Sequence, residues 1–293
     1  MLRPEILRFP LPDGGLELWD PVFDRKHALT AEESAALAAT GAIPARLAAQ
    51  MLQEGPVAGL VRAQFWARKR ATVQPPAAPD PPADADWALA ESLPTERIAE
   101  VWRRGETWRR LAEDRAAGAQ ALPMRSLLCD TFARELAQAH EGADYERMAV
   151  GLTWADRHVC VPEDGGAIAA WLSTMASAPF RTLMSAVIGL ALPEPVTANA
   201  WRLLPGDEIR PHPVGATYVA TISLGLCEGW TAQDGGSIAF ADAAPGDPAF
   251  RVTGRWLPHL GDALAIARGP ASWHWVESPR RLRRTLTGWW VAG

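Results

Sequence analysis

Two of the six histidines stand in sequence surroundings that suit a metal site. His212 follows a Pro-Gly-Asp turn and precedes the strand-like run 218–226, and His274 lies in a Trp-His-Trp-Val run just before the terminal strand-like run 284–291. Neutral imidazole binds iron and other borderline metals. Because a lone histidine is more often structural, the interpretation depends on the residues around this pair.

Those surrounding residues resemble the motifs of the prolyl-4-hydroxylase-like branch of the Fe(II)/2-oxoglutarate oxygenases. The similarity extends over roughly residues 122–293, and its pieces agree in order and approximate spacing. They are residues 127–136, 179–190, 204–207, Pro211 with His212, 221–226, Trp230, 235–240, 258–261, 264–266, 274–276, and Arg283 with 285–289. The resemblance implies a double-stranded β-helix, which is a jelly-roll barrel.

The resemblance also implies a role for individual side chains. Fe(II) would be bound by two catalytic histidines, and the co-substrate 2-oxoglutarate would be held inside the barrel by an arginine and by hydroxyl groups. A guanidinium suits a carboxylate because both groups can form two parallel hydrogen bonds. The implied metal ligands are His212 and His274, and the implied co-substrate contacts are Arg283, Thr285 or Thr287, and Thr221.

Arg283 has an alternative interpretation as a solvated member of the basic run 280–284. It lies nine residues after His274, however, and this spacing fits the resemblance. On a strand, successive side chains point to opposite faces. Alternation would therefore turn Arg283 into the barrel and Arg284 toward solvent.

The sequence departs from the family pattern at Val214. The family places aspartate or glutamate two residues after the first histidine, whereas this chain reads His-Pro-Val. A second departure is Gly225, where relatives often place a larger side chain against 2-oxoglutarate. The nearby acids have the wrong spacing to replace the carboxylate; they are Asp207, Glu208 and Glu277.

Three functions are compatible with a valine at position 214. The protein is a hydroxylase-type oxygenase if two histidines and 2-oxoglutarate suffice to bind iron, and its substrate would then be a peptide or an amino-acid-like molecule. It is a halogenase if a halide takes the vacant ligand position, although valine leaves less room there than glycine or alanine. It is a catalytically inactive binding protein if iron affinity is lost.

The rest of the sequence predicts the elements that position this site. We expect a small N-terminal α/β domain over 1–72, a Pro/Ala-rich linker over 73–94, a helical connector over 95–121 and the barrel domain over 122–293. Helical patterns dominate before about residue 197 and strand-like runs dominate after it. That order predicts an α+β fold, with helices flanking the barrel.

The N-terminal domain shows short strand-like runs and then helical sequence. Asp-Pro at 20–21 suggests a turn, with strand-like residues 16–19 and 22–23 on either side. Thr30 and Glu33 form a capping-box pattern at the start of a helix that Gly41 ends, and two further helices are expected over 44–54 and from about 56. The pattern loosely resembles the winged-helix peptide-recognition modules of ribosomal-peptide biosynthesis. The alternative is a small packing or dimerisation domain.

Composition excludes several other classes of function. A net charge of −5 with no long basic stripe argues against a nucleic-acid partner. No run of roughly 20 apolar residues predicts a membrane span, and the N-terminus does not resemble a secretory signal. Three widely spaced cysteines predict a reducing, cytoplasmic location. The pair His158 and Cys160 is expected to be part of a packed strand.

Overall fold

The computed structural model shows two compact units, one from Met1–Gln74 and Ala243–Phe250 and the other from Pro75–Asp242 and Arg251–Gly293. The boundaries predicted from the sequence remain predictions. The structure describes residues 2, 6–11, 13–20, 25–50, 86–150, 153–161, 165–194, 196–215, 217–243, 250–269 and 272–292.

The first unit contains an antiparallel three-stranded sheet followed by helix. The strands pair in the order β1-β2-β3. The elements are β1 Leu7–Pro10, β2 Leu16–Asp20, β3 Arg25–Leu29, α1 Ala31–Thr40 and a 3₁₀ helix Ala45–Gln50. The predicted strand at 22–23 and the predicted third helix both lie wholly outside the described residues.

The predicted start and end of helix α1 are confirmed. Glu33 donates its backbone N–H to the Thr30 hydroxyl (3.2 Å), and Thr30 donates its backbone N–H to the Glu33 carboxylate (3.0 Å). Gly41 ends the helix in the left-handed conformation, with φ of 69°. This local geometry satisfies backbone groups that a helix terminus otherwise leaves unpaired.

The second unit is built on an antiparallel sheet that curls into a nearly closed jelly-roll barrel. Its strands pair in the order β11-β10-β13-β8-β6-β7-β14-β9-β12-β4, with β5 paired to β6. They are β4 Ala121–Met124, β5 Glu146–Val150, β6 Thr153–Cys160, β7 Val196–Leu203, β8 Glu208–His212, β9 Tyr218–Gly225, β10 Ile238–Ala241, β11 Val252–Trp256, β12 Ala263–Ala267, β13 Trp273–Val276 and β14 Arg283–Val291. The α+β fold class with a jelly-roll barrel is confirmed.

Helices flank the barrel, as the sequence predicts. The described residues of this unit include four α-helices: α2 Gly105–Ala116, α3 Asp130–Glu141, α4 Gly166–Ala176 and α5 Ala178–Ile188. Two 3₁₀ helices, Trp87–Ser92 and Glu100–Arg103, precede α2, so part of the segment predicted as linker is folded with this unit. None of the described helices is long and apolar enough to cross a membrane.

Strand alternation separates a helix-facing surface from the barrel interior. On β14, Leu286 and Trp290 join the apolar core that includes the helices, whereas residues 283, 285, 287 and 289 face the interior cavity. On β9, Ile222 and Leu224 face the helices, whereas Thr221 and Ser223 face the cavity. The same period of two therefore builds the core and aims the polar side chains inward.

Candidate functional site

A cavity of about 390 Å³ lies inside the barrel. It contains every side chain that the sequence singled out for metal or co-substrate binding, namely His212, His274, Arg283, Thr285, Thr287 and Thr221. These residues come from strands β8, β9, β13 and β14, so the pairing of distant strands brings them together. Val214 also lines this cavity.

His212 and His274 are direct partners across strands β8 and β13. Their ring centroids are 4.3 Å apart. Nδ1 of His212 lies 2.6 Å from the carbonyl oxygen of Arg210, and Nδ1 of His274 lies 2.8 Å from that of Ser272. A carbonyl oxygen only accepts hydrogen bonds, so each Nδ1 carries the proton and each Nε2 keeps its lone pair.

Both imidazoles are held in the neutral form that binds metals. Protein surrounds the rings except where they line the cavity, and this burial lowers the pKa of His212. Burial, followed by repulsion from a charged His212, lowers the pKa of His274 to about 3. At neutral pH the pair therefore presents two imidazole lone pairs without competition from protons.

Arg283 is a cation buried at the side of the same cavity, with 1% of its surface exposed. Its Nε donates to the carbonyl oxygen of Gly236 (2.6 Å), and its Nη1 donates to the Thr285 hydroxyl (3.0 Å). Nη2 is buried and has no hydrogen-bond partner among the described residues. Burial lowers the pKa of Arg283 to about 10, so the guanidinium remains charged at neutral pH. A buried charge with an unsatisfied donor predicts an anionic ligand.

Gly236 makes room for this arginine. Its backbone has φ of +63°, a conformation that favours glycine, and a Cβ atom there would lie 2.9 Å from Cδ of Arg283. Gly236 belongs to the segment 235–240 that carries the resemblance, and its backbone contacts the arginine. At Gly225 the backbone of a neighbouring loop requires glycine, because a Cβ atom there would clash with the carbonyl oxygen of His259.

Hydroxyl groups form the polar part of the cavity wall beside the guanidinium. Ser223 and Thr287 are hydrogen-bonded through their hydroxyls (3.0 Å), and Thr221 donates to the carbonyl oxygen of Gly288 (3.2 Å). Ser223 was not predicted from the sequence, although its position two residues after Thr221 on one strand places it on the same face. These groups can hydrogen-bond an oxygen-rich ligand.

Val214 provides no metal ligand. Its side chain is 6% exposed and packs in an apolar cluster with residues that include Ile238 and Val276. Its backbone N–H donates to the Ser272 hydroxyl (3.1 Å), which in turn donates to the carbonyl oxygen of Gly269 (2.7 Å). Ser272 thus anchors both the Val214 backbone and, through its carbonyl oxygen, His274. The sequence offered no signal for this serine.

The neighbouring acids do not replace the missing carboxylate. Asp207 accepts two hydrogen bonds from Arg147 (2.7 and 2.5 Å), and Glu277 accepts from Arg255 (2.9 Å). Neither these two nor Glu208 lines the cavity. In the described part of the chain, no group of three His, Cys, Asp or Glu residues is arranged to hold a metal ion. The described residues of the site therefore offer a metal two imidazole ligands, and any further ligand would have to come from a bound molecule.

Aromatic side chains form another part of the cavity wall. Tyr218 and Trp289 stack with ring centroids 5.4 Å apart and an interplanar angle of 28°. Trp201 also lines the cavity. Strand alternation on β14 turns Trp289 toward the cavity and Trp290 toward the helices. Tyr218 and Trp201 were missed, because strand register decides which face they occupy.

His140 supports this wall from the helical side. Its Nε2 lies 3.2 Å from the carbonyl oxygen of Trp201 and 3.3 Å from that of Thr285, while the Tyr145 hydroxyl lies 2.8 Å from both Nδ1 and the carbonyl oxygen of His140. The side chain is buried, and burial lowers its pKa to about 4. A neutral His140 thus links helix α3 to strands β7 and β14.

The depressed pKa of His140 predicts that acid destabilises the protein. The unfolded state binds a proton near pH 6.5 and the folded state only near pH 4, so the stability that neutral His140 contributes is lost as pH falls through this window. We expect a loss of about 2 kcal/mol between pH 7 and pH 5 from this residue alone. Urea unfolding at both pH values, followed by tryptophan fluorescence, measures it. In His140→Gln the pH-dependent loss should shrink by that amount, and an unchanged loss would contradict the prediction.

No protein-family model matches the sequence, and no curated protein matches it. Solved structures do match. A prolyl-4-hydroxylase from Pseudomonas putida has a TM-score of 0.52 at 20% identity, over 64% of this chain and 99% of that one. A prolyl hydroxylase from Trichoplax adhaerens, in complex with a hypoxia inducible factor peptide fragment, has a TM-score of 0.50 at 16% identity, over 64% of this chain and 91% of that one. The chain therefore contains the jelly-roll fold of the prolyl hydroxylases.

Proposed function

We propose that the protein is an Fe(II)/2-oxoglutarate-dependent oxygenase of the hydroxylase type, acting on a C–H bond of a peptide or amino-acid-like substrate. One observation carries the proposal. The cavity that holds the two neutral histidines also holds Arg283, a buried cation with an unpaired nitrogen. This combination suits a metal-binding anion that spans from the imidazoles to the guanidinium.

The residues present fit both implied groups. His212 and His274 would bind the iron through Nε2, and Arg283 with Thr285 would bind the distal carboxylate of 2-oxoglutarate. When bound, the two supply an oxidative chemistry in which dioxygen is reduced, 2-oxoglutarate becomes succinate and carbon dioxide, and a C–H bond is hydroxylated.

The work of the protein is positioning and exclusion of water. The carbonyl oxygens of Arg210 and Ser272 fix the two rings, and Gly236 fixes the guanidinium. Locked side chains of this kind keep ligands in one geometry. The apolar cluster around Val214 would keep water away from one side of a metal held by the two histidines.

The substrate group that enters the cavity is proposed to be uncharged. Among the described residues that line the cavity, Arg283 alone carries a charge at neutral pH, and the co-substrate would neutralise it. The remaining wall includes Tyr218, Trp289 and Trp201, which offer aromatic surface. A charged substrate group would thus lose its hydration without gaining a partner. The peptide that carries the group is proposed to be held by the first unit, and we propose a cytoplasmic location, in agreement with three free cysteines.

A catalytically inactive binding protein is the second candidate, and the apolar packing of Val214 favours it. Both candidates bind 2-oxoglutarate at Arg283, and they differ in metal binding and turnover. The halogenase alternative has no such support, because valine fills part of the position that a halide would take.

A turnover assay tests the proposal. We expect full-length protein with Fe(II), 2-oxoglutarate and dioxygen to release succinate, and His212→Ala to release none above the level of free iron. His259→Ala is the matched control, because His259 is exposed and does not line the cavity. Binding of 2-oxoglutarate without metal uptake or succinate would instead establish the inactive binding protein. Chloride-dependent product formation would establish the halogenase.

A further inference from the structure

The charge inventory of the cavity is unusual for a metal site. Its described lining includes one permanent cation, Arg283, and no carboxylate. The two histidines are neutral ligands, and the side chain at position 214 is apolar. A divalent cation bound by the imidazoles alone would therefore join a buried guanidinium in a cavity whose described lining carries no negative charge.

Electrostatics make such a state unfavourable. Removing ions from water is costly, and like charges in a low-dielectric interior repel each other. A carboxylate ligand would offset part of that cost, and Val214 does not supply one. A dicarboxylate with a 2-oxo group supplies two negative charges, one end for the metal and the other for the guanidinium.

We propose that Val214 makes metal binding at His212 and His274 conditional on a dianionic 2-oxo acid, so that the metal and the acid bind as a pair. The proposal rests on the proposed function and adds a rule to it: neither ligand binds tightly alone. By linkage, the metal must strengthen binding of the acid by the same factor as the acid strengthens binding of the metal. The protein would then bind little metal when the concentration of the 2-oxo acid is low.

Substitution of Val214 tests this dependence directly. Its N–H is fixed by Ser272, and its side chain lines the cavity that holds both histidines. Val214→Asp adds an anionic oxygen ligand at this position. Val214→Asn is the matched control, because it adds an oxygen of similar size without the charge.

The experiment measures Mn(II) affinity of the full-length protein by equilibrium dialysis, with and without saturating 2-oxoglutarate. In the wild type we expect 2-oxoglutarate to raise the affinity at least about tenfold, within the range of coupling between two sites. In Val214→Asp the metal should bind without 2-oxoglutarate, and the enhancement should fall. Glutarate, a dianion without the 2-oxo group, separates the contribution of charge from that of chelation. Val214→Asn should keep the wild-type dependence.

A second measurement needs no variant. The affinity of the wild type for 2-oxoglutarate, measured by calorimetry with and without Mn(II), should rise by the same factor. Equal Mn(II) affinity with and without 2-oxoglutarate would overturn the inference and leave the proposed function intact. Absence of Mn(II) binding under both conditions would overturn both. Enhancement of equal size in the wild type and in folded Val214→Asp would show that Val214 is not its cause.

Discussion

Replacing Arg283 with glutamine is expected to weaken 2-oxoglutarate binding by about 30-fold or more. Truncating one member of a buried, hydrogen-bonded charge pair typically costs about 2–5 kcal/mol, and each 1.4 kcal/mol is tenfold in affinity. Glutamine is uncharged and shorter than arginine. The distal carboxylate of 2-oxoglutarate would therefore lose both its charge partner and the hydrogen bond that Nη2 of Arg283 is free to donate. Calorimetric titration of 2-oxoglutarate in the presence of Mn(II) measures the loss.

Arg284→Gln is the matched control for that experiment. Arg284 lies next on the same strand, does not line the cavity and pairs with Glu141. Its replacement should leave 2-oxoglutarate affinity within about twofold, since partly exposed ion pairs contribute about 0–1 kcal/mol. If Arg283→Gln and the wild type had equal affinity for 2-oxoglutarate, the co-substrate would not bind at Arg283. Removal of a buried charge without an internal anion need not destabilise the fold, so thermal unfolding should show an intact protein.

The sequence predicts most of the barrel because local pattern and strand alternation agree there. Residues 285, 287 and 289 alternate with the apolar Leu286 and Trp290, and this period decides which side chains face inward. Helix α3 forms over Asp130–Glu141, within the part of the chain where helical patterns dominate. Helix α1 shows the predicted capping box, because that signal lies within four residues.

The parts of the site that the sequence does not reveal depend on strand pairing. Tyr218 and Trp201 reach the cavity only through the register of β7, β9 and β14. Ser272 contacts the Val214 backbone across 58 residues of sequence, and no local pattern marks a contact of that kind. His140 likewise packs against strands far away in the chain. Sequence alone therefore proposes which residues would carry the chemistry, and the structure adds the residues that hold those side chains in place.

The position of the missing carboxylate is found from the sequence, and whether another acid replaces it is decided by the structure. The sequence identifies Val214 as a departure, and the spacing of the nearby acids argues against their replacing the carboxylate. The structure places Asp207 and Glu277 in ion pairs outside the cavity. Arg283 is then the main electrostatic feature of the cavity, because it is the charged side chain among the described residues that line it.

Replacing His274 with alanine is expected to abolish measurable metal binding even in the presence of 2-oxoglutarate. Substitution of residues that merely orient a ligand typically costs about 10–100-fold in metal affinity. In a site with only two protein ligands, loss of one imidazole should exceed that range, since half of the protein's coordination disappears. Binding of 2-oxoglutarate at Arg283 does not require the ring itself, so a weak, metal-independent affinity should survive. Dialysis against Mn(II) measures the first effect and calorimetry the second.

His158→Ala is the control, because His158 is a histidine of the same barrel that lies outside the cavity. It should bind metal as the wild type does. Ser272→Ala provides a graded comparison: it retains both imidazoles and the Ser272 carbonyl, and it removes the hydroxyl that holds Val214. We expect the metal affinity of Ser272→Ala to lie between those of the wild type and His274→Ala. The reduction should be about 10-fold or more, as for other residues that orient metal ligands. If His274→Ala retained wild-type affinity, the metal would not bind at the histidine pair, and the alternating strands would carry a purely structural His–His contact.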